Sequence, residues 1–373
     1  MFTSMLDLGT PSSSPAGRNF RQSGTVARID AREFRTEVIS LFEANGKAEF
    51  AKQFDWYYRD DGQQTPISWA LRDMKGRLLG VCSVTIRMMR FGTTLVGAGV
   101  AGNLLVDRSR GAYLGAFSLV NAIKSLVDTR ELDVLLGIPN ELAQPIFSRS
   151  GFTTIDRWAT YVQVAKSRDL LSFHFGRSGM LASRVIDWAA TAKRRLSHWH
   201  DSKNSGFRVV ELSENELSRA SFENWSSPSH ELRLIASSEY LKWRFMRAPM
   251  NAFSVVAIES ADQEICAYLV IRSSRGRIWI ADCQADHRQL TELEAMLCFC
   301  HDRRALASTV WIPVLSSAAL SQRLATAGFI KMKPSMGGYP EFPLVGYWRS
   351  DHRLADVFGR PSSWHLLSGS NDV

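Results

Sequence analysis

Two stretches of the chain carry residue types and spacings that could do chemistry. In "GIPNELAQPIFSRSGF" (137–152), Asn140, Ala143, Phe147 and Gly151 fall at steps of three, four and four, and Phe152 follows. The spacing reads as the wall of a catalytic site, with a phenyl ring at 147 that keeps packing but cannot donate a proton. In "VGAGVAGNLLVDRSRGAYLGAF" (96–117), Gly97, Ala98, Gly99, Ala101 and Gly102 crowd small residues into a strand. Glycine there marks a bulge or a place where another molecule approaches the backbone. The strand continues through Leu104, Leu105 and Val106 into a loop with Arg110 and Gly111, and a helix follows at once. Backbone N–H groups at a helix start beside an arginine form a cradle for a pyrophosphate. A plain strand–loop–helix turn is the other reading of the same residues. Cys298, Cys300 and His301, with Cys283 and His287 upstream, suggest a metal site less well. Positions two apart face different sides of a helix, so "LEAMLCFCH" reads as a buried helix with buried thiols and no metal is expected.

The elements that position these residues follow from hydrophobic periodicity. "ARIDAREFRTEVISLFEAN" (27–45) has apolar residues at helical spacing, and strand-like runs cover 66–73, 78–92, 93–107 and 132–139. Between the last two, 111–130 carries the helical stripe Leu114, Phe117, Leu119, Ile123 and Leu126. Strands followed by a strand–helix–strand unit describe a mixed α/β sheet with a parallel pair near its end. Pro145 would clash inside a helix that began at Asn140, so that helix is expected to begin at Pro145. Asn140 and Glu141 then lie in a loop at the mouth of a cleft.

The series of elements occurs twice. Trp56 in "FDWYYRD" has a counterpart in Trp243 of "YLKWRFMRAP", and the strands from 207 onward repeat the first strand series. "SAALSQRLATAGF" (317–329) matches "NELAQPIFSRSGF" (140–152) in length and in its closing Gly-Phe. A duplicated domain is the reading. At the positions of Asn140, Ala143 and Phe147 the second copy has Ser317, Leu320 and Leu324, so its framework persists without the candidate site residues.

A chain of 373 residues suits two domains, and 45% hydrophobic with 22% charged residues is a soluble globular profile. No run approaches the roughly 18 apolar residues of a membrane span. The first residues lack a basic start and an apolar run, so they read as a tail rather than a secretory signal. Five cysteines without a spacing framework fit a reducing compartment, and a cytoplasmic location is expected. The net charge of +8 suits an anionic partner, and nucleic acid, a membrane surface and a phosphorylated cofactor all qualify. The segment 167–205 is amphipathic and basic, a helical connector with a membrane-surface or partner helix as the sharper option.

The order of small-residue strand, "RGAYLGA", helix, strand and "NELAQPIFSRSGF" resembles the GNAT superfamily of acyl-CoA-dependent N-acyltransferases. The resemblance implies an α/β (α+β) fold of two consecutive GNAT-like domains. Each would be a mixed, mostly antiparallel sheet with flanking helices and a splayed parallel strand pair. The implied division is a tail at 1–25, a domain with the candidate site at 26–166, the connector at 167–205, a degenerate domain at 206–350 and a tail at 351–373. The family's phosphate loop is Arg/Gln-x-x-Gly-x-Gly/Ala; Arg110 fills its first place and Gly115 its last, with Ala112 between and Tyr113 in place of the central glycine. The closing motif Asn-x-x-Ala-x-x-x-Tyr-x-x-x-Gly-Phe is matched by Asn140, Ala143, Gly151 and Phe152, with Phe147 where the family often has the tyrosine that protonates the departing thiolate. "FDWYYRD", "GIPNELAQPIF", "SSEYLKWRFMRAP" and the closing "SSWHLLSGSND" are similar to tandem-domain chains linked to bacterial surface-polysaccharide synthesis.

Carried onto this sequence, the resemblance implies acetyl-CoA or another acyl-CoA as co-substrate. The cofactor would lie along Gly102, Asn103, Leu104, Leu105 and Val106, on Arg110, Gly111, Ala112 and Gly115, and against Asn140, Ala143 and Phe147. Backbone N–H groups near Gly102 to Leu104 would polarise the thioester carbonyl. Glu141 and Asp107 are the candidates to deprotonate an amine acceptor, which is a small molecule or a saccharide, and Tyr113 is the candidate acid. Two other functions share the fold: a tRNA-dependent peptidyltransferase, for which the lysine-rich patches are not evident, and a non-catalytic binding or assembly protein.

Overall fold

The computed structural model describes residues 24–58, 66–107, 112–164, 206–222, 224–226, 228–249, 252–274, 276–303, 309–333 and 341–367. Most of the expected N-terminal tail, the connector at 167–205, Arg110, Gly111 and the last six residues lie outside them. The first half runs β1 (Thr25–Ile29), α1 (Arg35–Ala44), α2 (Glu49–Tyr57), β2 (Ile67–Arg72), β3 (Leu78–Phe91), β4 (Thr94–Val106), α3 (Ala112–Ile123), α4 (Ser125–Asp128), β5 (Val134–Gly137), α5 (Gln144–Arg149) and β6 (Thr153–Val164). The helical reading of 27–45 holds only from Arg35. Thr25–Ile29 instead pairs antiparallel with β2 along its whole length. Its β-branched Thr25, Val26 and Ile29 suit a pleated edge, and that long-range partner outweighs the local periodicity.

The second half repeats the order with β7 (Arg208–Leu212), α6 (Glu214–Leu217), β8 (Leu232–Leu234), α7 (Ser238–Leu241) continued by a π turn at Lys242–Met246, β9 (Ser254–Glu259), β10 (Ile265–Ser274), β11 (Arg277–Ala285), α8 (Glu292–Arg303), β12 (Thr309–Leu315), α9 (Ala319–Thr326) and β13 (Ile330–Met332). It closes with β14 (Pro343–Trp348), α10 (Ala355–Phe358) and β15 (Trp364–His365). The first sheet has the order β1-β2-β3-β4-β5-β14-β6, and the second has β7-β9-β10-β11-β12-β6-β13. In each, one strand is inserted between the fifth and the sixth. The inserted strand of the first sheet, β14, comes from the end of the chain, and that of the second, β6, comes from the first half.

Strand β6 therefore belongs to both sheets. Thr153–Arg157 pairs with β14, and Trp158–Val164 pairs with β12. One hydrophobic cluster runs from Val96 and Leu136 in the first half through Trp158 to Ile280 and Phe299 in the second. A second cluster packs α3 against the face of Cys82, Val84, Ala101 and Leu135. Helices α1 and α2 cover the opposite face at Ala70, Leu78 and Val81. Among the described residues no helix is long and apolar enough to cross a membrane.

Candidate functional site

The site forms where β4 and β5 part. They run parallel and paired from Ala98–Val134 to Ala101–Gly137. Strand β5 then ends, while β4 continues to Val106. Opposite Cys82 of β3, β4 carries two residues, Asn103 and Leu104, because Val81 pairs with Leu105 and Ser83 with Gly102. This bulge interrupts the ladder at the fork. Asn103 takes φ 51°, the left-handed region, at a cost on the order of 1 kcal/mol for a residue with a side chain. The bulge expected among the small residues thus falls at Asn103, and Gly99 serves packing: a Cβ there would sit 2.6 Å from Leu132 and 2.7 Å from Val84.

A chain of buried hydroxyls lies under the bulge. The Tyr58 hydroxyl is 2.7 Å from Ser83 Oγ, which is 2.9 Å from Ser68 Oγ, and the Tyr57 hydroxyl is 3.1 Å from Thr85 Oγ1. Burial pushes the Tyr58 phenol up to about 12, so it stays protonated and can donate. Asn103 Nδ2 is buried beside this chain and makes no hydrogen bond of normal geometry. The motif reading missed these residues, although Ser68, Ser83 and Thr85 in otherwise apolar strands, together with Tyr57 and Tyr58, were the signal.

The turn Asn140–Ala143 forms the other side of the fork. Asn140 Oδ1 accepts from the backbone N–H of Leu142 at 3.1 Å and of Ala143 at 3.0 Å, so the side chain closes the turn that leads into α5. Asn140 is exposed, and its Nδ2 is the group left to meet a ligand. Helix α5 starts at Gln144 with Pro145 in its first turn, within one residue of the expected start. Glu141 is exposed in the turn, Ala143 is half-buried, and Asp107 is half-buried at the end of β4, where its N–H donates to Leu79 O at 2.7 Å.

Phe147 points the other way. It is 4% exposed and belongs to the core of the first half, edge-on to Phe152 at 4.9 Å. Its ring lies over Gly137, where an added Cβ would be 2.8 Å from Cε1. The Tyr113 hydroxyl accepts from Arg149 Nη1 at 2.9 Å, and the guanidinium stacks 5.4 Å from its ring, a clamp between α3 and α5. Gly115 lets α3 close on the sheet, since a Cβ would meet Leu71 Cδ2 at 2.7 Å and Val106 Cγ1 at 3.0 Å. Gly102 and Val106 are buried, and Leu104 and Leu105 are half-buried along β4. Tyr113 (38%), Leu114 (60%) and Leu142 (68%) expose large apolar surface around the fork, which suits a ligand lying across it.

The structure therefore brings the Gly102–Val106 segment, the start of α3 and the Asn140–Ala143 turn together at one fork, and it withdraws Phe147 beneath it. The residues present fit a thioester-bearing cofactor: a bulged backbone, an outward amide and an apolar rim. The second half has its own bulge, at Ala281 of β11 just past the parallel pairing of Trp279 with Trp311, but not the amide: Ser317 stands in its place, with its N–H donating to Asp156 Oδ2 at 2.8 Å, and Leu320 and Leu324 are buried. Cys298 and Cys300 are also buried, with burial pushing the Cys298 thiol up to about 11.

No family model matches the sequence, and no curated protein matches it. Solved structures do. A probable N-acyltransferase from Enterococcus faecalis, a conserved protein of unknown function, superposes with a TM-score of 0.59 at 10% identity, over 87% of this chain and 73% of that one. A GCN5-related N-acetyltransferase from Anabaena variabilis does so with a TM-score of 0.55 at 8% identity, over 87% and 72%. N-myristoyltransferase from Saccharomyces cerevisiae with bound myristoyl-CoA gives 0.50 at 13%, over 95% and 87%. The chain has the fold of these N-acyltransferases, a mixed α/β architecture with a large sheet and flanking helices.

Proposed function

We propose that the chain is an acyl-CoA-dependent N-acyltransferase whose single site is the fork of β4 and β5. The observation that carries this is the bulge at Asn103 and Leu104, where the parallel pairing has just ended, together with the exposed amide of Asn140, for which the second half has only Ser317. Domains at 26–166 and 206–350, joined through 167–205, would divide the labour, the second shaping the acceptor side. Acetyl-CoA, a cytoplasmic setting and an amine on a small molecule or a surface-polysaccharide sugar complete the reading.

An acyl-CoA supplies an activated carbonyl with a thiolate leaving group. Backbone N–H groups freed at the bulge would polarise that carbonyl. The outward amide of Asn140 would orient the arm that carries it, and Arg110 with the start of α3 would hold its phosphates. As the amine nitrogen bonds to the carbonyl carbon and the C–S bond breaks, Glu141 or Asp107 would take the amine proton. Phe147 holds the fork in shape through Gly137 and moves no proton.

A second reading, a binding or assembly protein that kept the fold, is favoured by the burial of Phe147 and by the Tyr113 hydroxyl already engaged with Arg149. Calorimetric titration with acetyl-CoA decides between them. Binding in the micromolar range that weakens in Arg110→Ala and Asn140→Ala supports the enzyme; no binding of any CoA species leaves the binding protein.

A further inference from the structure

The two halves also meet where β3 pairs antiparallel with β8, Met89–Phe91 against Leu232–Leu234. Arg90 stands directly opposite Arg233, and directly opposite residues share a face, so two guanidinium groups face the same side. Arg233 is buried and satisfied, donating to Glu231 and pairing with Glu292. Arg90 is half-buried, and no hydrogen bond or ion pair from the described residues reaches its guanidinium. The acids of the neighbouring segments are engaged elsewhere. Glu231 also faces His365 at 3.6 Å, and Asp286 accepts from Arg288 Nε at 3.0 Å and from the Ser226 N–H at 3.1 Å. An open pocket lies at this seam, lined by Arg90, Arg233, Phe222, Trp225, Ser226 and Gln284, and among the described residues no carboxylate lines it. Its aromatic wall is braced from behind, because Trp225 stacks on buried Tyr268 at 6.0 Å and meets Phe222 edge-on at 4.9 Å. On the Arg90 face, Met88 two residues before it is 44% exposed, and Leu95 directly opposite it on β4 is 55% exposed.

We infer that this pocket binds a small organic carboxylate, its head on the Arg90 guanidinium and the Ser226 hydroxyl and its apolar body against Trp225 and Met88. A partly desolvated cation facing a second cation, with no counter-charge of its own, is destabilising. A carboxylate head supplies that counter-charge, and the planar guanidinium fork matches it with two charge-assisted hydrogen bonds. The exposed side chains of Met88 and Leu95 and the Trp225 wall favour an acid with an apolar body over inorganic phosphate. The site is separate from the fork. From Arg90 back to Cys82, which faces the bulge, is eight residues, about 26 Å of strand. The inference therefore does not depend on the acyl-CoA reading, and the ligand is distinct from an acceptor at the fork.

The test is calorimetric titration of the full chain with acetate, hexanoate and inorganic phosphate at constant ionic strength. Hexanoate is expected to bind saturably and about tenfold more tightly than acetate, with phosphate weaker than hexanoate. Arg90→Gln is expected to weaken hexanoate at least about tenfold, while Arg110→Ala leaves it within about twofold of wild type. In carboxylate-free buffer Arg90→Gln should unfold at the same urea concentration as wild type or a higher one, because it removes one of two facing like charges. A lower midpoint would show that the guanidinium is satisfied within the chain, and it overturns the inference. So does the absence of saturable hexanoate binding, tighter binding of phosphate than of hexanoate, or an affinity that Arg90→Gln leaves unchanged. Loss of hexanoate in Arg110→Ala instead places the carboxylate at the fork and overturns it as well.

Discussion

Trp56 and Trp243 hold the two halves in a reciprocal clasp. Trp56 Nε1 donates to the Trp243 carbonyl at 2.8 Å, and Trp243 Nε1 donates to the Trp56 carbonyl at 2.9 Å. Their rings stack 5.4 Å apart at 21°. Trp56 sits in the last turn of α2 and Trp243 in the π turn after α7. Carbonyls near helix C-termini lack intrahelical partners, and here each is satisfied by the counterpart residue of the other copy.

Trp243→Phe keeps an aromatic ring but removes the pyrrole part of the indole with its donor, leaving the Trp56 carbonyl without its partner. Trp243 is 1% exposed and Trp56 is half-buried. The expected cost is about 1–3 kcal/mol for Trp243→Phe and less for Trp56→Phe. Urea unfolding of both singles and the double should show a coupling beyond additivity; strictly additive losses would mean that the clasp does not act as a unit.

The halves should not fold separately. The first sheet needs β14 between β5 and β6, and the second needs β6 beside β12. A chain of residues 1–205 would leave two strand edges unpaired and is expected to aggregate or stay unfolded. Mixing it with 206–373 during refolding should restore the native circular dichroism spectrum. Two independent thermal transitions in the full chain would contradict this shared-strand architecture.

Gly137→Ala should destabilise the first half by about 1–3 kcal/mol, because the new Cβ runs into the Phe147 ring. Combining it with Phe147→Leu makes room, so the double variant should lose less than the two singles summed. Chemical denaturation measures this. A harmless Gly137→Ala would show that the ring can move.

Acid should weaken the fold through a buried ion cluster. Arg233 donates to Glu231 Oε2 at 2.6 Å and pairs with Glu292, which is 2.8 Å from His287 Nε2. His365 Nδ1 lies 3.6 Å from Glu231, and Arg323 also faces the cluster. Burial, then Arg233, depresses His365 from 6.5 to about 4, against the pull of Glu292 and Glu231. Between those values the unfolded chain binds a proton that the folded one refuses. Stability is therefore complete above about pH 6.5 and falls by roughly 3 kcal/mol as pH drops to 4. Burial opposes ionisation of Glu292, but the His287 hydrogen bond and Arg233 hold it below the usual carboxylate range, which extends the loss to lower pH. In His365→Phe the slope of unfolding free energy between pH 6.5 and 4 should flatten; an unchanged slope would assign it to other groups.

The sequence by itself determined the duplication, most strand and helix positions and the start of α5 near Pro145, because alternation, helical stripes and proline geometry act over a few residues. It also matched Trp56 with Trp243, although not that they touch. Only the tertiary structure decided that β14 enters the first sheet and that β6 serves both, since period-two alternation marks a strand without naming its partner. The same limit hid β1, whose pairing with β2 outweighed a helical stripe. Phe147 shows the difference at one residue. Its type excluded proton donation from the start, but its burial over Gly137 depends on where β5 ends. The bulge at Asn103 and the hydroxyls beneath it depend likewise on register and on side chains far apart in the chain, which local patterning cannot specify.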